Sequence, residues 1–182
     1  MNVSPTAFDG VWILEPNLFK DARGYFTETF REVVLEEALK QPIRFVQDNE
    51  SVSKKGVIRG LHYQLPPMAQ SKLVRVVQGK VWDVIVDLRK DSLTFGETFG
   101  MELSAENKKQ LFIPQGFAHG YITLSDTATF VYKVDNYYSK AHEASIAFND
   151  NDLAIPWPLT PEEWILSPKD LENAAFKEAV YF

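Results

Sequence analysis

The residues able to move protons in this chain are few enough to follow one by one, because its 182 residues include three histidines and no cysteine. Lack of cysteine excludes disulfides, thiol nucleophiles and zinc sites built on thiolates. His62 stands in Val57-Ile58-Arg59-Gly60-Leu61-His62-Tyr63. A strand alternates with a period of two, so Arg59 and His62 project to opposite faces unless a bulge or bend at Gly60 re-aims one of them. His119 follows a Pro-x-Gly turn in Ile113-Pro114-Gln115-Gly116-Phe117-Ala118-His119-Gly120, and His142, beside Glu143, reads as a surface residue. A neutral imidazole with a pKa near ~6.5 can abstract a proton at neutral pH, but a single histidine in a strand is by default structural.

The other groups with chemical potential are carboxylates, amides and one lysine. Gln47-Asp48-Asn49-Glu50-Ser51 concentrates donors and acceptors in a strand-like stretch, which suits either a hydroxylated ligand or an exposed edge strand. In Lys72-Leu73-Val74-Arg75-Val76-Val77, Lys72 shares a face with Val74 and Val76. Its ammonium therefore caps a strand end in solvent or enters a partly apolar cavity. In Val81 to Leu88 the even positions are apolar and the odd ones include Asp83 and Asp87, which predicts one core face and one carboxylate face. Asp170 in Ser167-Pro168-Lys169-Asp170 reads, on its residues alone, as part of a helix N-terminus, with Ser167 as N-cap and Pro168 at the first helical position.

The elements that must position these groups are mostly strands. Runs rich in Val, Ile, Phe and Tyr span Phe45 to Ser53, Val57 to Gln64, Lys72 to Gln78, Val81 to Leu88, Phe99 to Leu103, Gln110 to Ile113, Gly120 to Leu124 and Thr129 to Val134. Turn signals such as Lys54-Lys55-Gly56, Pro66-Pro67 and Gly79-Lys80 separate them. This rhythm predicts an all-β sandwich or barrel, with helices over Phe30 to Lys40 and from Ser167 flanking it. The length, without repeats or a flexible linker, is that of one domain over residues 1–182.

Bulk properties narrow the function classes. A formal net charge of -6 argues against a general nucleic-acid binder, since phosphate-backbone affinity comes from a basic surface, although a local basic pocket remains open. No apolar window long enough for a membrane helix occurs, and Asp9, Glu15, Pro5 and Pro16 interrupt the start, so a soluble cytoplasmic protein is expected. A three-histidine metal site would use all the histidines present, and no metal or cofactor is expected.

The Pro-x-Gly-x-x-His segment ending at His119 resembles the second motif of the cupin superfamily, whose fold is a β jelly roll. Asp21-Ala22-Arg23-Gly24-Tyr25-Phe26-Thr27-Glu28, Gln47-Asp48-Asn49, Gly56 to Gln64, Lys72-Leu73-Val74-Arg75, Val86-Asp87-Leu88-Arg89, Phe95-Gly96, Leu103 to Asn107 and Pro114 to Gly120 occur in order. Together they resemble the dTDP-4-dehydrorhamnose 3,5-epimerase family over nearly the whole chain. The resemblance implies a cupin-type jelly roll with a few short helices, acting as a metal-free homodimer on a nucleotide sugar. Its activity would be inversion of C3 and C5 of dTDP-4-dehydro-6-deoxy-D-glucose through an enolate. A relative inverting one centre or moving the ketone, and a silent sugar-binding cupin, are the competing readings.

By the same resemblance His62 is the base, Asp170 its partner, Tyr132 the proton donor and Lys72 the cation near the C4 oxygen. Asp83 would orient Lys72 or His119. Arg59, Arg23 and Lys169 would hold the diphosphate, and Glu28, Gln47, Asp48 and Asn49 the base or sugar. Tyr138 would stack on thymine, with His119 and Glu143 completing the set. For Arg23 and Glu28 to reach a site, the N-terminal segment would have to cross to a partner subunit.

Overall fold

The computed structural model describes residues 1–182. Its strands are β1 (Asn2–Pro5), β2 (Trp12–Glu15), β3 (Leu18–Asp21), β4 (Gly24–Thr27), β5 (Gln47–Lys54), β6 (Ile58–Gln64), β7 (Lys72–Gln78), β8 (Lys80–Asp87), β9 (Thr98–Ser104), β10 (Gln110–Ile113), β11 (Phe117–Thr123), β12 (Thr127–Val134) and β13 (Glu143–Ser145). The helices are α1 (Glu32–Leu39) and the single turn α2 (Pro168–Leu171), with three 3₁₀ turns after β12.

A larger, six-stranded sheet runs β1-β2-β10-β7-β12-β5, and a smaller, five-stranded sheet runs β13-β6-β11-β8-β9. All pairings within them are antiparallel. Consecutive strands keep switching sheets: β5 is in the larger, β6 in the smaller, β7 in the larger, β8 and β9 in the smaller, β10 in the larger. Two antiparallel sheets laced together in this way form the jelly roll. The hairpin β3–β4 stands apart as its own ribbon.

Between the sheets lies a core of 13 buried residues, including Val74, Val76, Val81, Ile85, Leu111, Phe117, Tyr121 and Phe130. The outer faces are covered in part as well. Leu61, Tyr63, Val86 and Ala118 of the smaller sheet, with Leu88 just past β8, lie beneath Phe176, Tyr181 and Phe182 of the C-terminal segment. Leu14, Leu73 and Phe112 of the larger sheet pack with Leu35 of α1 and with Ile43. Burial of Leu35 to 0% exposure stabilises that contact by about 2 kcal/mol.

This layering corrects one expectation. Strand β8 does not have a core face and a carboxylate face. Its odd positions Val81, Asp83 and Ile85 point between the sheets, while Val86 lies under the C-terminal cover, and both Asp83 and Asp87 are 0% exposed. Helix α1 is also shorter than the expected Phe30 to Lys40, starting at Glu32, and it buries Leu35 while Val33 faces solvent. No helix is long and apolar enough to cross a membrane.

Candidate active site

Gly60 creates the site. Across β6 and β11, His119 faces His62 while Tyr121 faces Arg59, so three residue steps on β6 oppose two on β11. This is a β-bulge, and it turns Arg59 and His62 toward the same side, where both line one cavity. Gly60 has φ +135, and a Cβ there would lie 2.6 Å from Gly120 Cα, so only glycine fits.

The cavity, about 230 Å3, opens between the sheets and is lined by Ser51, Arg59, His62, Gln64, Lys72, His119, Tyr121, Tyr132, Tyr138 and Glu143 among others. His62 and His119 project from the smaller sheet, and Lys72 and Tyr132 from the larger, so the two sets form opposing walls. A second cleft of equal volume lies on the outer face of the larger sheet around Leu73, Arg75 and Lys133, but no histidine opens into it.

His62 Nε2 lies 2.7 Å from Asp170 Oδ1, and Ser167 Oγ donates to Asp170 Oδ2 at 2.6 Å. The Asp170 N–H also donates to Ser167 Oγ. Asp170 therefore takes part in the helix cap and pairs with His62 through its two oxygens. Burial acts to raise the Asp170 pKa, but the bonds from His62 and Ser167 outweigh it and hold the carboxyl below its usual range. A carboxylate only accepts, so Nε2 of His62 carries the hydrogen and Nδ1 is left as the basic nitrogen.

A second pair lies across the strands, with His119 Nε2 donating to Asp83 Oδ2 at 2.8 Å. Burial lowers the His119 pKa against the opposing pull of Asp83 and favours the neutral ring. Asp83 Oδ1 is buried without a hydrogen bond. Lys72, 9% exposed, donates from Nζ to the His62 carbonyl at 3.2 Å, and burial lowers its pKa to about 8 although Asp83 works in the other direction. Burial raises the Tyr132 pKa, keeping the phenol protonated at neutral pH.

At the rim, Glu143 accepts from Tyr138 Oη at 3.0 Å and from Lys169 Nζ at 2.5 Å. Gln47 Oε1 accepts from the Tyr138 N–H, and Gln47 Nε2 donates to Asn49 Oδ1. Gln64, which sequence reasoning did not single out, brackets the same loop, donating to Tyr137 O at 3.2 Å and accepting from the Ser139 N–H at 2.6 Å. Tyr121 and Ser53 were also missed, and Ser51 was named only within the polar stretch that starts at Gln47. His142 bonds Ser139 Oγ and does not line the cavity.

Three expected residues are brought neither to this cavity nor to the hydrogen bonds of its rim within one chain. Asp48 points to the outer face, where Lys133 bonds it at 2.6 Å. Arg23, with its side chain 90% exposed, pairs with Asp21 at the tip of the β3–β4 hairpin. Glu28 pairs with Arg31 at 2.7 Å.

A jelly roll whose inner cavity holds a His–Asp pair, a buried ammonium and a protonated phenol on facing walls defines a proton-transfer enzyme of the cupin class. The comparisons with known proteins sharpen this. A family model described as dTDP-4-dehydrorhamnose 3,5-epimerase matches residues 5–178, and the chain belongs to that family, as an isomerase of the epimerase kind. It is 54% identical to the dTDP-4-dehydrorhamnose 3,5-epimerase of Shigella flexneri over 100% of this chain and 99% of that one. The crystal structure of the enzyme of that name from Elizabethkingia anophelis aligns with TM-score 0.94 at 51% identity, covering 97% of each chain. A Legionella pneumophila 3,5-epimerase, solved in complex with dTDP-4-keto-L-rhamnose, aligns with TM-score 0.92 at 48% identity over 97% of this chain and 93% of that one.

Proposed function

We propose that the chain inverts C3 and C5 of dTDP-4-dehydro-6-deoxy-D-glucose, giving dTDP-4-dehydro-L-rhamnose, and that residues 1–182 do so as one domain. The observation that carries this reading is the His62–Asp170 pair on one wall of the cavity with Tyr132 and Lys72 on the other. Both carbons flank the C4 ketone. Nδ1 of His62 takes the proton from one of them, the C–H electron pair enters the enolate, and the charge gathers on the C4 oxygen near the Lys72 ammonium. Tyr132 returns a proton to the carbon from the opposite wall, which inverts the centre. His62 is then an imidazolium and Tyr132 a phenolate, and exchange with water resets both before the second inversion.

The test is incubation with that substrate in deuterated water, following the ring by NMR. Deuterium is expected at both C3 and C5. Label at one carbon alone would make the chain a mono-epimerase, and label at neither would overturn the reading.

Lys72 supplies a pH signature. Its charged form exists below about 8, so kcat/KM is expected to fall as pH rises through that value. In Lys72→Arg, whose guanidinium stays charged, the residual activity should lack this limb. An unchanged limb would remove Lys72 from the role.

The reading includes a homodimer. A cavity of about 230 Å3 is small beside the ~300–1,000 Å3 of usual ligand clefts, so it encloses the sugar and leaves the nucleotide at the rim. The β3–β4 hairpin carries Arg23 away from that rim with Phe19 61% and Phe26 69% exposed, a surface suited to cross onto a partner copy and deliver Arg23 and Glu28 there. Within one chain Arg59 and Lys169 are the cations for the diphosphate. A cytoplasmic location accompanies a substrate whose charged diphosphate does not cross a bilayer unaided.

A further inference from the structure

A chain of side-chain hydrogen bonds joins Arg59 to three residues with no role in the proton transfers: Ser53, Tyr121 and Ser51. Its direction can be worked out link by link. A guanidinium only donates, so the 3.0 Å contact from Arg59 Nε makes Ser53 Oγ an acceptor. The Ser53 hydrogen then needs a partner of its own. Ser53 is 4% exposed, and the Tyr121 hydroxyl lies 3.2 Å away. A buried hydroxyl left without an acceptor costs about 1–3 kcal/mol, so Ser53 donates to Tyr121 Oη. Tyr121 in turn donates to Ser51 Oγ at 3.0 Å. The Tyr121 ring cannot swing out of this arrangement, since it is 4% exposed and stacked on Phe130 at 4.4 Å.

Every link donates in the same sense, away from the cation, and each bond polarises the next. The hydrogen left over is that of Ser51, which lines the cavity beside Arg59 and Tyr132 and whose side chain bonds nothing but Tyr121 within the protein. Strand register tells which end of the cavity it faces. Phe130 of β12 is the partner of Ser51, whereas Val134, farther along the same strand, is the partner of Lys72. Ser51 therefore sits at the Arg59 end, away from the ammonium that serves the ketone.

We propose that Ser51 is a further ligand-binding residue, whose hydroxyl, oriented by the Arg59–Ser53–Tyr121 chain, donates to an oxygen of the substrate's diphosphate. A diphosphate at neutral pH only accepts hydrogen bonds and so matches a leftover donor next to a guanidinium. The proposal rests on the reading that Arg59 contacts the diphosphate.

Calorimetric titration of the intact protein with dTDP and with thymidine tests both. Ser51→Ala is expected to weaken dTDP about tenfold and leave thymidine unchanged, while Ser51→Thr, which keeps the hydroxyl, restores dTDP affinity. Tyr121→Phe should weaken dTDP in the parent but not in the Ser51→Ala background, because the two residues act through one donor. Unchanged dTDP affinity in Ser51→Ala, or an equal loss for thymidine, overturns the proposal. Arg59→Gln separates the two levels. If it weakens dTDP while Ser51→Ala does not, only the Ser51 assignment fails; if Arg59→Gln has no effect, the reading beneath it fails as well.

Discussion

Replacing His62 with alanine is expected to abolish deuterium incorporation at C3 and at C5 together, lowering the rate by about 10³-fold or more, within the ~10²–10⁴ ascribed to a positioned general base. Both losses coincide because one enolate oxygen serves both carbons, and a single basic nitrogen, Nδ1, is left after Asp170 accepts from Nε2. The substitution also takes a donor from Asp170, which is 5% exposed and keeps Ser167 as its remaining side-chain partner. That costs about 1–3 kcal/mol of stability, so a drop in melting temperature alone does not explain the result. His62→Asn offers an amide in place of the imidazole and separates the two effects, since it should be as inactive as the alanine variant whatever its melting temperature. Exchange within tenfold of the parent at either carbon would remove His62 as the common base.

Gly60→Ala has the second largest expected effect, although the position carries no chemistry. The new methyl would sit 2.6 Å from Gly120 Cα and 3.0 Å from the His119 carbonyl, at a φ of +135 that side chains rarely adopt. Gly120 in turn has Arg59 O and Gly60 Cα within about 3 Å of where its own Cβ would be, so neither strand has slack. Relief requires β6 and β11 to part, at a cost of about 2–5 kcal/mol from backbone strain and overpacking together. The same movement separates His62 from Asp170 and turns Arg59 from the cavity. Thermal denaturation and the deuterium assay should therefore fall together. A variant that keeps its melting temperature and at least half its activity would show that the bulge survives without glycine.

How much of this was legible in the residues depended on whether neighbours in sequence or neighbours in space decided it. Strands β7 and β10 were read at their observed ends, Lys72–Gln78 and Gln110–Ile113, because their apolar residues are contiguous or broken by Arg75 alone. Strands β1 and β2, of four residues each, escaped since Asn2, Pro5 and Pro16 look like loop and β2 is held to the sheet by β10, far along the chain. The β3–β4 hairpin escaped too, although Asp21-Ala22-Arg23-Gly24 between aromatic residues was a turn signal. In the site, the need for a bulge at Gly60 followed from period two once Arg59 and His62 were both assigned to one site. Ser51 and Ser53 had a signal that went unused, for Gln47, Asn49, Ser51 and Ser53 occupy alternate positions and so form one polar face of β5. Tyr121 had none, because β5 and β11 belong to different sheets and only the packing of one sheet on the other brings the phenol to the two serines.

The cavity is made from two kinds of material. His62, Lys72, His119 and Tyr132 stand on long strands of the two facing sheets, whereas Tyr138, Glu143 and Lys169 stand on the loops, short strand and single helical turn that follow β12. Mutations among the first group disturb a packed interior; those among the second disturb little beyond the rim. The rim part of the grip on the substrate is thus freer to change than the proton-moving interior, although Arg59 and Ser51 hold the substrate from strands β6 and β5. Lys169 marks the limit of that freedom, being the immediate neighbour of Asp170. Any change that rebuilds this turn must preserve the partner of the base.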